Sequence, residues 1–187
     1  MDIKQVKYLG GIGAVAIILS LLPYLGFFLS HLGYVLSLGG WILLFLAFYN
    51  LSKLTNIKEI FNNYLEGSIF GLIGIIVAII CGALGGLSGG LIFGKTIYSR
   101  IAGGLFFGIL LIVFFIWIFL IISSNFYKKS YKLVGDYFKV DLFELSGKFL
   151  FWGACLTIVI VGLALTFISY IMLAIAFFSL PDNIRKE

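Results

Sequence analysis

A chain of 187 residues that is 62% hydrophobic and only 11% charged is not a water-soluble domain, which typically carries about 25% charge. Several uncharged runs reach the roughly 20 residues that cross about 30 Å of hydrocarbon, and their continuous apolarity excludes the alternating pattern of a β-barrel. The reading is an all-α, polytopic integral membrane protein with a formal net charge of +5.

Lys4 and Lys7 precede the first apolar run, as in a signal peptide. No small-x-small cleavage site follows, and the run continues past Pro23, so a retained first helix over 8–25 is expected. Gly10, Gly11 and Gly13 give it a flat face for close approach. Pro23 kinks or ends it. The connection around Ser30 and His31 carries no charge. Helix 2 is expected over 32–51, with Tyr49 suited to an interfacial belt and Trp41 to internal packing.

Asn56 and Glu59 have capping-box spacing, with Asn56 as N-cap and Glu59 at N3. Ile57, Ile60, Phe61, Tyr64 and Leu65 then recur at helical spacing, opposite Lys58, Asn62 and Asn63. They read as amphipathic interfacial turns on the membrane surface. These turns feed helix 3, and together they cover 57–84. Gly82, Gly86, Gly90 and Gly94 follow at every fourth residue. A helix would make them a ridge on which backbones touch; a loop or re-entrant segment would need protein or water around it. The reading favoured here frays helix 3 into a glycine-rich loop near Gly89.

Helix 4 is expected over 101–138, with Gly104 and Gly108 as a second close-packing face. Beyond Ser123 it becomes basic and amphipathic: Tyr127, Tyr131, Val134 and Phe138 share a face, with Lys128, Lys129, Lys132 and Lys139 on others. Asp141 and Glu144 have the spacing of a second capping box, flanked by Val140 and Leu145 as a hydrophobic staple. From Leu142 to Leu180 one helix would run about 58 Å, nearly twice the hydrocarbon thickness, and tilt alone does not absorb that. A tight hairpin at Gly162 resolves it into helices over 142–161 and 163–180.

Six transmembrane helices in a single membrane domain, 1–187, follow. With the N-terminus inside, 11 of the 13 Lys and Arg fall on inner segments and only Lys95 and Arg100 on outer ones. The positive-inside rule then gives N-in/C-in, with both termini cytoplasmic. Gly13-Ala14 opens a pair of spans that ends Ala47-Phe48-Tyr49-Asn50-Leu51. Gly153-Ala154 opens one that ends Ala176-Phe177-Phe178-Ser179-Leu180. The likeness reads as a parallel repeat of one helical pair, with chance matching of apolar sequence as the alternative.

Little in the chain suggests chemistry. The eight carboxylates all lie on the inner side or its interface, whereas proton relays place such groups within the membrane. Glu66 reads as an interfacial first-turn carboxylate of helix 3 that complements the helix dipole. His31 is the single histidine and reads as a solvated loop residue. Ser88 has no base and no nucleophile-elbow spacing. Cys81 and Cys155 read as small buried hydrophobes. No catalytic, metal or cofactor site is expected, and the chain is not read as an enzyme or a nucleic-acid binder. Two sets of residues are left as candidates. Gly82, Gly86, Gly90, Gly94, Gly104 and Gly108 are candidate packing or pore-lining positions. Lys128, Lys129, Lys132, Lys139 and Lys148 are candidate contacts for anionic lipid headgroups.

The opening Lys-Tyr-Leu-Gly-Gly-Ile-Gly-Ala, the middle Ile-Phe-Asn-Asn-Tyr-Leu-Glu-Gly and the close Ala-Ile-Ala-Phe-Phe-Ser-Leu-Pro resemble the archaeal membrane-protein family known as domain of unknown function 996. The resemblance covers nearly the whole chain. It implies a multi-pass protein of an archaeal plasma membrane and brings no residue roles with it. The expected function is non-enzymatic, exerted through helix packing with lipids, a second copy or another membrane protein. The alternative is a channel or uncoupled transporter for a small solute or ion.

Overall fold

The computed structural model is all helical and describes residues 2–21, 30–93, 96–159 and 161–182. Among the described residues six helices follow in order: α1 (Ile3–Leu21), α2 (Ser30–Thr55), α3 (Lys58–Phe93), α4 (Ile97–Phe138), α5 (Asp141–Cys155) and α6 (Val161–Phe178). All except α5 are long and apolar enough to cross a membrane. α5 has 15 residues, about 22 Å, which is short of the hydrocarbon thickness. The expectation of six spans is therefore met in helix number but not in length.

α1 begins at Ile3, five residues before the expected start. Gln5 N–H donates to Asp2 Oδ1 at 2.8 Å, and Asp2 N–H donates to Gln5 Oε1 at 3.3 Å. This reciprocal pair satisfies two amides that a helix start would otherwise leave bare. Pro23 lies outside the described residues. α2 begins at Ser30 and takes in His31, so this histidine belongs to a helix and not to a loop.

Neither expected capping box forms. Asn56 and Lys139 both adopt φ 57° and close α2 and α4 in the left-handed conformation that ends many helices. The next helix starts two residues later in each case. Ile57 and Val140 therefore sit where Asn56 and Asp141 were expected to cap, and Val140 provides no side-chain cap. The two corners share a further bond: Ile60 N–H donates to Ile57 O, and Phe143 N–H to Val140 O. Glu66 is consequently not in a first turn; α3 is already more than two turns old there.

The chain packs as two compact units, residues 1–66 with 124–187 and residues 67–123. α3 and α4 each run unbroken through the unit boundary. The first unit repeats one arrangement three times. Leu44, Ala47, Phe48 and Leu51 of α2 are buried, as are Leu173, Ala176, Phe177 and Leu180 at the end of α6. In α4 the corresponding positions are Tyr127, Ser130, Tyr131 and Val134, of which Tyr127 is half-buried and the others buried. Each odd-numbered helix packs on the even-numbered helix beside it. Tyr64 of α3 stacks on Phe48 of α2 at 4.4 Å, Gly147 of α5 lies against Tyr131 of α4, and Gly10 of α1 lies under the Phe177 ring of α6. The pair likeness read from the sequence is thus part of a threefold pattern that includes the α4–α5 corner. Ile60, Tyr64, Tyr131 and Val134 are buried in this core, so the faces read as amphipathic interfacial turns cover protein.

α5 and α6 form an antiparallel pair. Ser146 Oγ donates to Ser169 O at 2.9 Å, and Ser169 Oγ donates to Ser146 O at 2.8 Å. The chain turns at Leu156–Val159, before Gly162. Gly162 lies in the first turn of α6, where its missing side chain admits the Leu156–Thr157 backbone. Its role is close approach, and the turn needs no glycine conformation. At the other end of this unit Lys7 Nζ donates to Leu180 O at 3.1 Å and pairs with Asp182 at 3.2 Å. The start of α1 and the end of α6 therefore lie together.

Candidate functional site

The second unit is a hairpin of α3 and α4. Its glycines are helical through Phe93, which corrects the expected loop near Gly89. The seam is longer than the fourfold spacing suggested. Gly67, Gly71, Gly74, Ala78, Gly82, Gly85 and Gly89 follow one another at steps of three or four, which keeps one helical face toward a partner. α4 fills this small-residue face. Phe119 covers Gly74, Ile112 covers Gly82, Leu111 covers Gly85 and Phe107 covers Gly89.

Where the glycines of both helices meet, backbone touches backbone. A Cβ on Gly108 would lie 2.8 Å from Gly82 O, and one on Gly90 would lie 2.8 Å from Arg100 O. Gly104 is held against the Gly86 carbonyl in the same way. Gly82, Gly86, Gly90, Gly104 and Gly108 are thus brought together in one helix–helix contact; Gly94 lies outside the described residues. Ser123 Oγ donates to Gly67 O at 2.6 Å, and Ser88 Oγ to Gly85 O at 3.1 Å, so both hydroxyls serve the backbone.

The outward face is bulky and apolar. Leu91, Ile92 and Tyr98 are 75%, 71% and 86% exposed. Along one side of the seam runs a shallow groove of about 540 Å³. Gly82, Gly86, Gly104 and Gly108 form its floor, Leu87 and Leu105 stand on its walls, and among the described residues Arg100 is the one charged side chain that lines it.

The candidate lysines lie in the first unit and do not form one cluster. Lys148 Nζ meets Glu144 at 2.7 Å. That hydrogen bond, followed by the Lys148 charge and the weaker fields of Lys132 and Lys128, holds the Glu144 carboxyl below the usual carboxylate range. Lys128 lies over the Phe151 ring at 4.9 Å, and Lys129 over Phe126 at 5.2 Å. Lys139 is spent on the left-handed corner and shares a cleft with Asp141, Glu144 and Lys148. Three of the five lysines therefore surround a carboxylate, which reduces the positive field they can offer an anion. Among the described residues no three His, Cys, Asp or Glu side chains converge.

A family model described as a protein of unknown function (DUF996) matches residues 36–171. The chain belongs to that family. It is also 35% identical over 190 residues to the uncharacterized protein MJ1644 of Methanocaldococcus jannaschii, across 100% of this chain and 98% of the relative. No solved structure matches it. The DUF996 match begins within α2 and ends within α6, so it contains the whole α3–α4 hairpin and both left-handed corners. Sequence reasoning missed two features of this DUF996 chain. One is the extension of the seam back toward the start of the hairpin, for which Gly67, Gly71, Gly74 and Ala78 were the available signal. The other is the reach of the Lys128 and Lys132 fields to Glu144, which needs α4 and α5 side by side and left no local signal.

Proposed function

We propose that this DUF996 protein is a non-enzymatic integral membrane protein of the plasma membrane that works by packing its helices against lipids and other membrane proteins. The observation that carries this is the α3–α4 hairpin. Its small residues are consumed by its own internal contact, and its outward residues are large and apolar over the whole length. Such a surface needs lipid or protein to cover it. The proposed orientation places both termini in the cytoplasm. The contact of Lys7 with Leu180 and Asp182 supports a common side for the two ends. The antiparallel α5–α6 pair returns the chain to the side it left, whether or not α5 crosses fully.

Mild solubilisation followed by size-exclusion chromatography with light scattering, and by mass spectrometry of co-purifying chains, tests this reading. A defined oligomer or a stable partner is expected. A monodisperse monomer with no partner across several detergents would overturn it. A channel or uncoupled transporter requires a lumen. The centre of the first unit is filled by Leu44, Phe48, Tyr131, Val134, Leu173 and Phe177, all buried, so the described residues of that unit do not enclose one.

A further inference from the structure

We infer that the groove beside the α3–α4 glycine seam holds one chain of an anionic phospholipid, with the lipid phosphate at Arg100. The inference rests on the proposed membrane-packing function and names a ligand class for it. Three observations point the same way. The groove follows the crossing of two adjacent helices, between Leu87 on α3 and Leu105 on α4. Spread along its length, a volume of about 540 Å³ is too narrow for a helix, which with its side chains is about 10 Å across, and suits a single hydrocarbon chain. Its floor is glycine backbone and its lining is otherwise apolar, as a methylene chain requires.

The second observation is length. From Arg100 to Ile112 the groove runs along twelve residues of α4, about 18 Å. One leaflet of hydrocarbon is about 15 Å deep. A lipid tail entering beside Arg100 would therefore lie along the groove for the depth of its leaflet, crossing the glycine floor on the way.

The third is charge. Arg100 lies in the first turn of a 42-residue helix, at the end of the span where headgroups lie. The positive end of the helix dipole adds to the guanidinium there. Two amides there are already used: Thr96 N–H donates to Ser99 Oγ at 2.8 Å, and Ser99 N–H to Thr96 Oγ1 at 3.3 Å. The phosphate would thus be met by the Arg100 side chain, whose planar fork suits phosphate oxygens. The lysines of the first unit are a weaker rival, because Glu144 sits among them.

The test uses the full chain in mild detergent with equal amounts of phosphatidylglycerol and phosphatidylcholine, and native mass spectrometry counts bound lipid. One phosphatidylglycerol adduct per chain is expected. Arg100→Gln should lower the preference for phosphatidylglycerol by about fivefold, the factor set by one basic residue near a headgroup. Ala83→Phe, which fills the groove without touching the charge, should remove the adduct. Adducts unchanged in both variants would overturn the inference. So would an adduct that survives both and is lost only when Lys128, Lys132 and Lys148 are together changed to Gln. Absence of a phosphatidylglycerol adduct on the unchanged chain, with oligomer or partner retained, sinks this inference alone, whereas a partnerless monomer sinks the broader reading.

Discussion

The Phe48 ring stacks on the Tyr131 ring, with 5.2 Å between centroids and 14° between planes. These residues hold equivalent positions on α2 and α4. Phe177, their counterpart on α6, meets Phe48 edge-on at 5.6 Å. Three helix ends are thus joined through one aromatic contact, and the contact is buried from every side.

Truncating a member of that set leaves a cavity that the surrounding helices cannot collapse into. We expect Phe48→Ala and Phe177→Ala each to cost roughly 3–5 kcal/mol. Phe151→Ala, at a half-buried ring on the edge of the unit, should cost clearly less. Thermal unfolding of the purified protein in one detergent ranks the three. A loss at Phe48 no larger than that at Phe151 would remove the aromatic contact from the centre of the fold.

The two left-handed corners give a prediction of opposite sign. Lys139 adopts φ 57° as Asn56 does, but lysine tolerates that conformation less well than asparagine or glycine. Lys139→Gly should therefore stabilise the protein by about 0.5–1 kcal/mol, with Lys139→Asn gaining less. Asn56→Lys should lose stability. A fall in melting temperature for Lys139→Gly would mean that its side chain contributes more than the corner costs.

What could be read in the sequence was what depends on neighbours along the chain. The apolar runs located all six helices, and the continuity of α4 from the membrane into its basic end follows from one uninterrupted periodicity. What could not be read depends on partners far away. Asn56 and Asp141 have the residue types and spacing of caps, yet Asn56 is taken by the left-handed end of α2 and Asp141 already lies within α5, so the N-cap positions fall on Ile57 and Val140. Gly162 looked like a turn because glycine breaks helices. Its use, close approach to the Leu156–Thr157 backbone, is visible only once α5 and α6 lie side by side. The loop expected near Gly89 failed for the same reason. Glycine is about 1 kcal/mol worse than alanine in an isolated helix, but contact along the whole seam with α4 outweighs that propensity.

Glycines that look alike in sequence should respond differently to alanine. A Cβ on Gly39 meets nothing within 4 Å, so Gly39→Ala in the interior of α2 should gain about 0.5–1 kcal/mol. A Cβ on Gly108 would meet the Gly82 carbonyl at 2.8 Å, so Gly108→Ala must push α3 and α4 apart, at roughly 1–3 kcal/mol. Melting temperatures of the two variants should move in opposite directions. Movement in the same direction would count against the backbone contact at Gly82.

Orientation has a direct readout. In a background with Cys81 and Cys155 changed to alanine, Tyr98→Cys should react with an impermeant thiol reagent added to intact cells. Lys132→Cys should react only after permeabilisation. The reverse pattern would invert the proposed topology, and reaction of both from outside would show that the α3–α4 hairpin does not separate them across the membrane.

Ser146 and Ser169 offer a test of the α5–α6 pairing that does not depend on large side chains. Each hydroxyl donates to the other residue's carbonyl, and the two Oγ atoms lie 3.3 Å apart. Removing one leaves the other with a changed partner, so their contributions are coupled. Interhelical bonds of this kind are worth about 0.6 kcal/mol on average and up to about 1.7. Ser146→Ala and Ser169→Ala should each fall in that range, and the double variant should differ from their sum. Ser130 supplies the contrast. Its Oγ donates to Ile60 O at 2.7 Å, between α4 and α3, and it shares no partner with the other two. Ser130→Ala combined with Ser146→Ala should therefore be additive to within about 0.5 kcal/mol. Additivity in both pairs would show that the serines of α5 and α6 act separately and that the reciprocal bond does not hold the hairpin closed.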